Sequence, residues 1–208
     1  MPTDSDWLPL FPLKTVLFPR GVLPLRVFEA RYIDMVRECM KSGKPFGVVL
    51  IRSGKEVGMA AEPESTGTLA HITHWDMQEA GVLLLRTQGG QRFRILEKRV
   101  LPDQRLEAQI ELLPADTDGE LDDMHLECAT ALKAVTDDVL AKLRSQHGEE
   151  FDRPFSEPLS FDSTSWVANR WCELLPIPLK ARQKLLELDD ARMRLNIIHQ
   201  YLKQHKIA

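Results

Sequence analysis

The 208 residues, 43% hydrophobic and 28% charged, have an ordinary globular composition and enough length to bury a core without disulfide staples. The formal charge of -4, spread as 15 Lys+Arg against 16 Asp+Glu before Gly119 and 12 against 15 from there on, leaves neither half basic and weighs against a nucleic-acid partner. No run approaches the roughly 20 apolar residues of a membrane span, and the acidic opening MPTDSDW does not read as a secretory signal, so the expected location is cytoplasmic.

In chain order, the first feature is LPLFPLKTVLFPRGVLPLRVFEARY, Leu8 to Tyr32, an apolar stretch interrupted by Pro9, Pro12, Pro19 and Pro24. A helix follows: Tyr32, Val36 and Met40 form a stripe, and Gly43 is placed to end it. FGVVLI (46–51) and GVLLLRTQG (81–89) have the length and β-branched content of strands bounded by Gly and Pro. QRFRILEKRV then alternates Phe93 and Ile95 with Arg92 and Arg94, the period of a half-buried strand. EAQIELL places Ala108, Ile110 and Leu112 on one face. Strands of this kind, separated by turns, predict a closed or nearly closed antiparallel sheet.

The composition changes at LPADTDGE. Thr117 and Glu120 have capping-box spacing, and Leu121, Met124, Cys128, Leu132, Val135, Val139 and Leu143 predict a long helix. A Gly, Pro, Ser and acid-rich loop follows. Ser165 or a neighbour then caps a helix carrying Val167, Trp171 and Leu174, stopped by Pro176 and Pro178. A third helix begins near Leu179 and buries Leu188, Ala191, Leu195, Ile198 and Leu202. The expected division is a β-rich unit over 1–116 and a helical unit over 117–208, an α+β protein.

Catalytic signatures are missing from these residues. There is no GxxxxGK[ST] to cradle a triphosphate, no GxGxxG, no GxSxG, no Ser-x-x-Lys and no HExxH. His71 and His74 in AHITHWD point to opposite faces if the segment is a strand, so they do not share an ion. The paired acids Asp122/Asp123 and Asp137/Asp138 read as a solvated helix face. Cys39, Cys128 and Cys172 are too far apart for a CxxC pair and read as buried small hydrophobes. No cofactor and no metal are expected. Arg92, Arg94, Lys98 and Arg99 form the one dense basic patch, a possible contact surface for phosphates or the outward face of a strand. Of the four tryptophans, Trp171 fits a core stripe, while Trp7 and Trp75 are candidates for exposure.

The opening segment, followed by FGVVL, then GTLAHITHW, GVLLLRTQGGQRFRILE and LLPIPLKARQKLLELDDARMRLNIIHQYL, resembles the amino-terminal substrate-binding domain of the Lon proteases across nearly the whole chain. The resemblance implies a PUA-like antiparallel β pseudo-barrel with a flanking helix, followed by a small carboxy-terminal helical bundle. It also implies a noncatalytic, free-standing domain that binds exposed or unfolded segments of other proteins, as an adaptor or in substrate recognition beside a protease or chaperone system. The ATPase P-loop and the Ser/Lys dyad of full-length Lon proteases have no counterpart here. In this setting the prolines end short strands and turn barrel corners, and Phe28 and Tyr32, four apart, are expected on the inner face of the helix, with Glu29 pairing Arg26 or Arg31. Phe18, Phe28, Trp75 and Met77 are the first candidates for partner contact. A small-molecule or RNA reader is the alternative function, and a monomer or weak homodimer are both open.

Overall fold

The computed structural model describes residues 7–79, 81–119, 121–148 and 151–207. It divides into two compact units, one formed by residues 1–115 with 178–187, the other by 116–177 with 188–208.

The first unit holds six strands: β1 (Leu8–Leu13), β2 (Val22–Val27), β3 (Phe46–Ser53), β4 (Glu62–Glu79), β5 (Val82–Val100) and β6 (Leu106–Leu112). Their order is β2-β5-β4-β3-β1-β6, and β5 also pairs with β6, which closes a ring of five strands with β2 laid along the first half of β5. Every pairing is antiparallel except β1 with β3, which run parallel in register Leu10 to Gly47 through Leu13 to Leu50. A parallel pair needs a crossover, and α1 (Ala30–Ser42) lies within it.

Alternation along the strands splits the core in two. Leu10, Val49, Phe93, Leu106 and Ala108 fill the inside of the ring. Phe11, Leu13, Val48, Leu83 and Leu85 join Tyr32, Met35, Val36 and Cys39 in the cluster under α1. Phe11 stacks on Tyr32 at 4.2 Å between ring centroids. The Phe93 ring reaches so far across the barrel that a Cβ on either Gly47 or Gly67 would lie 2.7 Å from its tip.

The segments predicted as two strands on either side of Gly89 and Gly90 are one, β5. The glycine pair continues the extended chain instead of turning it, because the Phe18–Gly21 loop docks there. Arg20 N–H donates to Gly89 O at 2.7 Å and Gly89 N–H to Gly21 O at 2.8 Å. The Phe18 carbonyl oxygen stands 2.1 Å from where a Gly89 Cβ would be, so the position requires close backbone approach.

α4 (Leu179–Glu187) belongs to the strand unit, not to the helical unit that a division at 116/117 assigned it to. Gln183 Nε2 donates to Thr66 O at 3.0 Å, and Arg92 Nη1 donates to Leu186 O at 2.8 Å. Both side chains are 2% exposed, so polar groups inside the interface fix α4 against the sheet.

The second unit packs α2 (Asp123–His147), α3 (Thr164–Leu174) and α5 (Ala191–Gln204). α2 starts at an Asp122 cap whose side chain accepts from His125 N–H. Thr117 therefore does not cap it, and Glu120 lies outside the described residues. Of the predicted stripe on α2, Cys128 and Leu132 are fully buried, and His125, Ala129 and Thr136 join them. Ser163 caps α3. The helix predicted to run on from Leu179 is two, because Asp190 caps a new one by accepting from Arg192 and Met193 N–H. Arg194, wholly buried, ties this unit together with bonds to Asp116, Asn169 Oδ1 and the Leu188 carbonyl.

Candidate functional site

A recessed surface of the strand unit lies around the carboxy-terminal end of α1. Gly43 ends the helix in the left-handed conformation, φ 67°, and Lys44 N–H closes back on Cys39 O at 3.1 Å. Lys44 and Pro45 then turn the chain into β3, which first pairs with β4 at Phe46 opposite Ala70. Two open grooves flank this corner. One, of about 360 Å³, is lined by Cys39, Met40, Gly43, Lys44, Pro45, His71, Ile72, Thr73 and Trp75. The other, of about 450 Å³, runs past Trp7, Leu8, Pro9 and Ile110, with Glu38 and Glu107 on its walls.

Trp75 pairs across the ladder with Leu85, which in turn pairs with Leu25. Directly opposed residues share a face, so Trp75 continues the apolar face that packs under α1. It stands 51% exposed beyond the helix end. Trp75 is the exposed aromatic of a groove whose lining also carries Lys44, His71 and Thr73.

The predicted contact residues separate. Trp75 lines the groove and Met77, 44% exposed, follows on the same strand. Phe28 is 58% exposed, just before the Glu29 position that opens α1. It therefore does not share an inner face with Tyr32, which is buried. Phe18 is completely buried, because its carbonyl docks on Gly89 and its side chain goes inward, so it offers nothing to a partner. Glu29 pairs with Arg31 at 3.1 Å.

The basic patch dissolves in the fold. Arg92 is inside, on the Leu186 carbonyl and, at 3.4 Å, the Pro114 carbonyl. Arg94 pairs with Glu111 at 3.2 Å, Lys98 with Glu62, and Arg99 with Glu107 at 2.7 Å. Arg99 also lies 4.3 Å over the Trp7 ring. Lys98 is the first cause holding the Glu62 carboxyl below its ordinary range, consistent with a committed ion pair. Cross-strand register makes two of these pairs, since Arg94 stands opposite Glu111 and Arg99 opposite Glu107.

Cys39 is the thiol beside both grooves. Burial, with the Glu38 carboxylate adding, pushes it up to about 11, so it stays a neutral thiol and a poor nucleophile. His71 and His74 are exposed along β4, and among the described residues no group of three or more His, Cys, Asp or Glu assembles where it could hold a metal ion. Nor is any helix among them long and apolar enough to cross a membrane. What this surface offers is an aromatic face, a backbone edge and Lys44. The strand edge was missed in the sequence because β4 buries Thr66 and Thr68, packs Ile72 against the core and leaves His71 and Thr73 to Met77 exposed, a pattern without clean alternation.

Comparison with known proteins gives the architecture a family. The family model described as the ATP-dependent protease La (LON) substrate-binding domain matches residues 7–204. The Lon protease of Anaeromyxobacter dehalogenans is 26% identical over 203 residues, 96% of this chain and 23% of that protein. The chain thus spans under a quarter of that relative's length. The crystal structure of a Lon N-terminal domain protein from Xanthomonas campestris superposes with a TM-score of 0.72 at 35% identity, covering 92% of this chain and 96% of that one. The N-terminal domain of the Mycobacterium avium complex Lon protease shares the fold, with a TM-score of 0.64 at 18% identity over 96% and 99% of the two chains. With a match from residue 7 to residue 204, this chain belongs to the LON substrate-binding domain family.

Proposed function

We propose that this protein is a noncatalytic binding module that recognises exposed or unfolded segments of other proteins, acting as an adaptor or in substrate recognition beside a protease or chaperone system of the cytoplasm. The observation that carries the reading is the match of the substrate-binding family over 7–204. The groove at the end of α1 supports it, with Trp75 half exposed on an otherwise core-facing side of the sheet. Binding by apolar burial plus docking of an extended chain gives micromolar affinity, about -7 to -8 kcal/mol. The RNA or small-molecule alternative loses its best support, since Arg92 is buried and Arg94, Lys98 and Arg99 each have a carboxylate partner.

The test is fluorescence anisotropy with reduced, carboxymethylated α-lactalbumin against the same protein in its native form. Saturable binding of the unfolded form alone is expected. Equal binding of both forms, or of neither, overturns the reading. Tight, salt-sensitive retention of single-stranded RNA would favour the alternative.

A further inference from the structure

The notch beside Trp75 is a vacated strand position. β3 pairs with β4 only from Glu62 to Ala70. Beyond Ala70, β4 continues with its other side still on β5, through His71 opposite Gln88 and Ile72 opposite Thr87, then past a register shift at Thr73 through His74 opposite Arg86 and Trp75 opposite Leu85. On the β3 side, among the described residues, no strand accompanies His71 to Trp75, because the chain entering β3 swings away through Gly43, Lys44 and Pro45 to meet α1. The groove of about 360 Å³ lies between that corner and β4. A strand edge left open presents backbone donors and acceptors to any extended chain. Beyond Trp75, the Asp76 carboxylate takes the Met77 N–H at 2.7 Å, so the protein's own side chain occupies that amide.

The lining is also complementary to one kind of chain. None of its nine residues is acidic. Lys44 stands in it, and among the described residues no carboxylate pairs with it. Met40, Ile72 and Trp75 supply the apolar wall.

We propose that an extended segment of another polypeptide adds as a strand to the β4 edge between His71 and Trp75, its apolar side chain packing on Trp75 and its acidic residue meeting Lys44. This rests on the proposed binding of protein segments and specifies its mode. Backbone pairing gives sequence tolerance, and alternate side chains of the added strand enter the groove or face solvent. Lys44 selects acidic-apolar segments over basic ones. Pro24 on the outer strand β2 removes a backbone donor there, which makes that edge less suited to addition than the β4 edge.

The probe is a fluorescein-labelled ten-residue peptide of alternating valine and threonine with a central phenylalanine followed two places on by aspartate. Trp75→Ala is expected to weaken its binding about tenfold or more, as loss of an aromatic anchor does, and Trp75→Phe to retain most of it. Lys44→Glu is expected to weaken the aspartate peptide and strengthen the version with lysine in its place. N-methylation of alternate peptide amides is expected to abolish binding in one phase of the alternation only, which an apolar contact without strand pairing would not produce. All three substitutions lie outside the buried core, and unchanged urea midpoints verify the fold. If unfolded lactalbumin binds but these variants and N-methylated peptides behave like their parents, strand addition is wrong and the broader reading stands. If neither lactalbumin nor the peptide binds, both fall. Sedimentation that shows the β4 edge instead pairing two copies of this chain also overturns the proposal.

Discussion

Replacing Arg92 by methionine separates a structural role from a nucleic-acid role for the cations of β5. The guanidinium is 2% exposed and donates to Leu186 O at 2.8 Å and Pro114 O at 3.4 Å. A hydrogen bond from a charged donor contributes about 1.5–3 kcal/mol, and the longer bond lies at the weak end. Methionine fills much of the same volume and removes a buried charge, which offsets part of the loss. The net cost is therefore about 2–3 kcal/mol, and it falls mainly on α4, whose last turn loses the donor to the Leu186 carbonyl. Urea unfolding combined with amide hydrogen exchange reads both parts: a lower midpoint and faster exchange across 179–187. Arg94→Met is the control, because its pair with Glu111 is half exposed and such pairs contribute about 0–1 kcal/mol. An Arg92→Met protein with an unchanged midpoint and unchanged α4 exchange would refute the reasoning.

Gly89→Ala sets a Cβ 2.1 Å from the Phe18 carbonyl oxygen and is expected to cost about 3 kcal/mol by displacing backbone; a urea midpoint like that of the parent would contradict the docked loop. Asp116→Ala strands the Arg194 charge, whose side chain is wholly buried at 2.9 Å from that carboxylate, and is expected to cost the helical unit about 3–5 kcal/mol, while replacing both partners by apolar residues costs less. Thermal unfolding of the single and double variants decides it, and equal losses would contradict the account. Burial, with neighbouring Glu38 and Glu127 adding, pushes Cys39 and Cys128 up to about 11, and Cys172 is buried too. At pH 8 the two shifted thiols are thiolate in about one molecule per thousand, so native protein should react slowly with a disulfide reagent and release three equivalents promptly once denatured. Prompt reaction of the folded chain would show these sites to be open.

The helix stripes and most strands were legible because their periodicity is local: Cys128 and Leu132 on α2, Val167 and Trp171 on α3, Phe93 on β5. What escaped was set by contacts distant in sequence. Gly89 and Gly90 read as a turn, yet a Cβ on Gly89 would strike the Phe18 backbone and one on Gly90 the His71 ring. Arg92 read as surface, yet it reaches 94 residues along the chain to Leu186. Gln183 carries no local sign of burial, and its bond to Thr66 O brings α4 to the sheet. The break between α4 and α5 did carry a signal, Asp190 ahead of an apolar periodic run, a helix start passed over because the stripe continued through Leu188. At the candidate site, Trp75 was singled out as an exposed aromatic, but the open edge beside it depends on where β3 ends, which no residue pattern announces.

The most direct measurement is an amide chemical-shift map of the nitrogen-labelled protein titrated with unfolded lactalbumin. The account predicts the largest shifts along His71 to Trp75 and at Lys44, with Arg94, Lys98 and Arg99 little affected. Shifts concentrated on those cations, or none along β4 at saturating ligand, would contradict it.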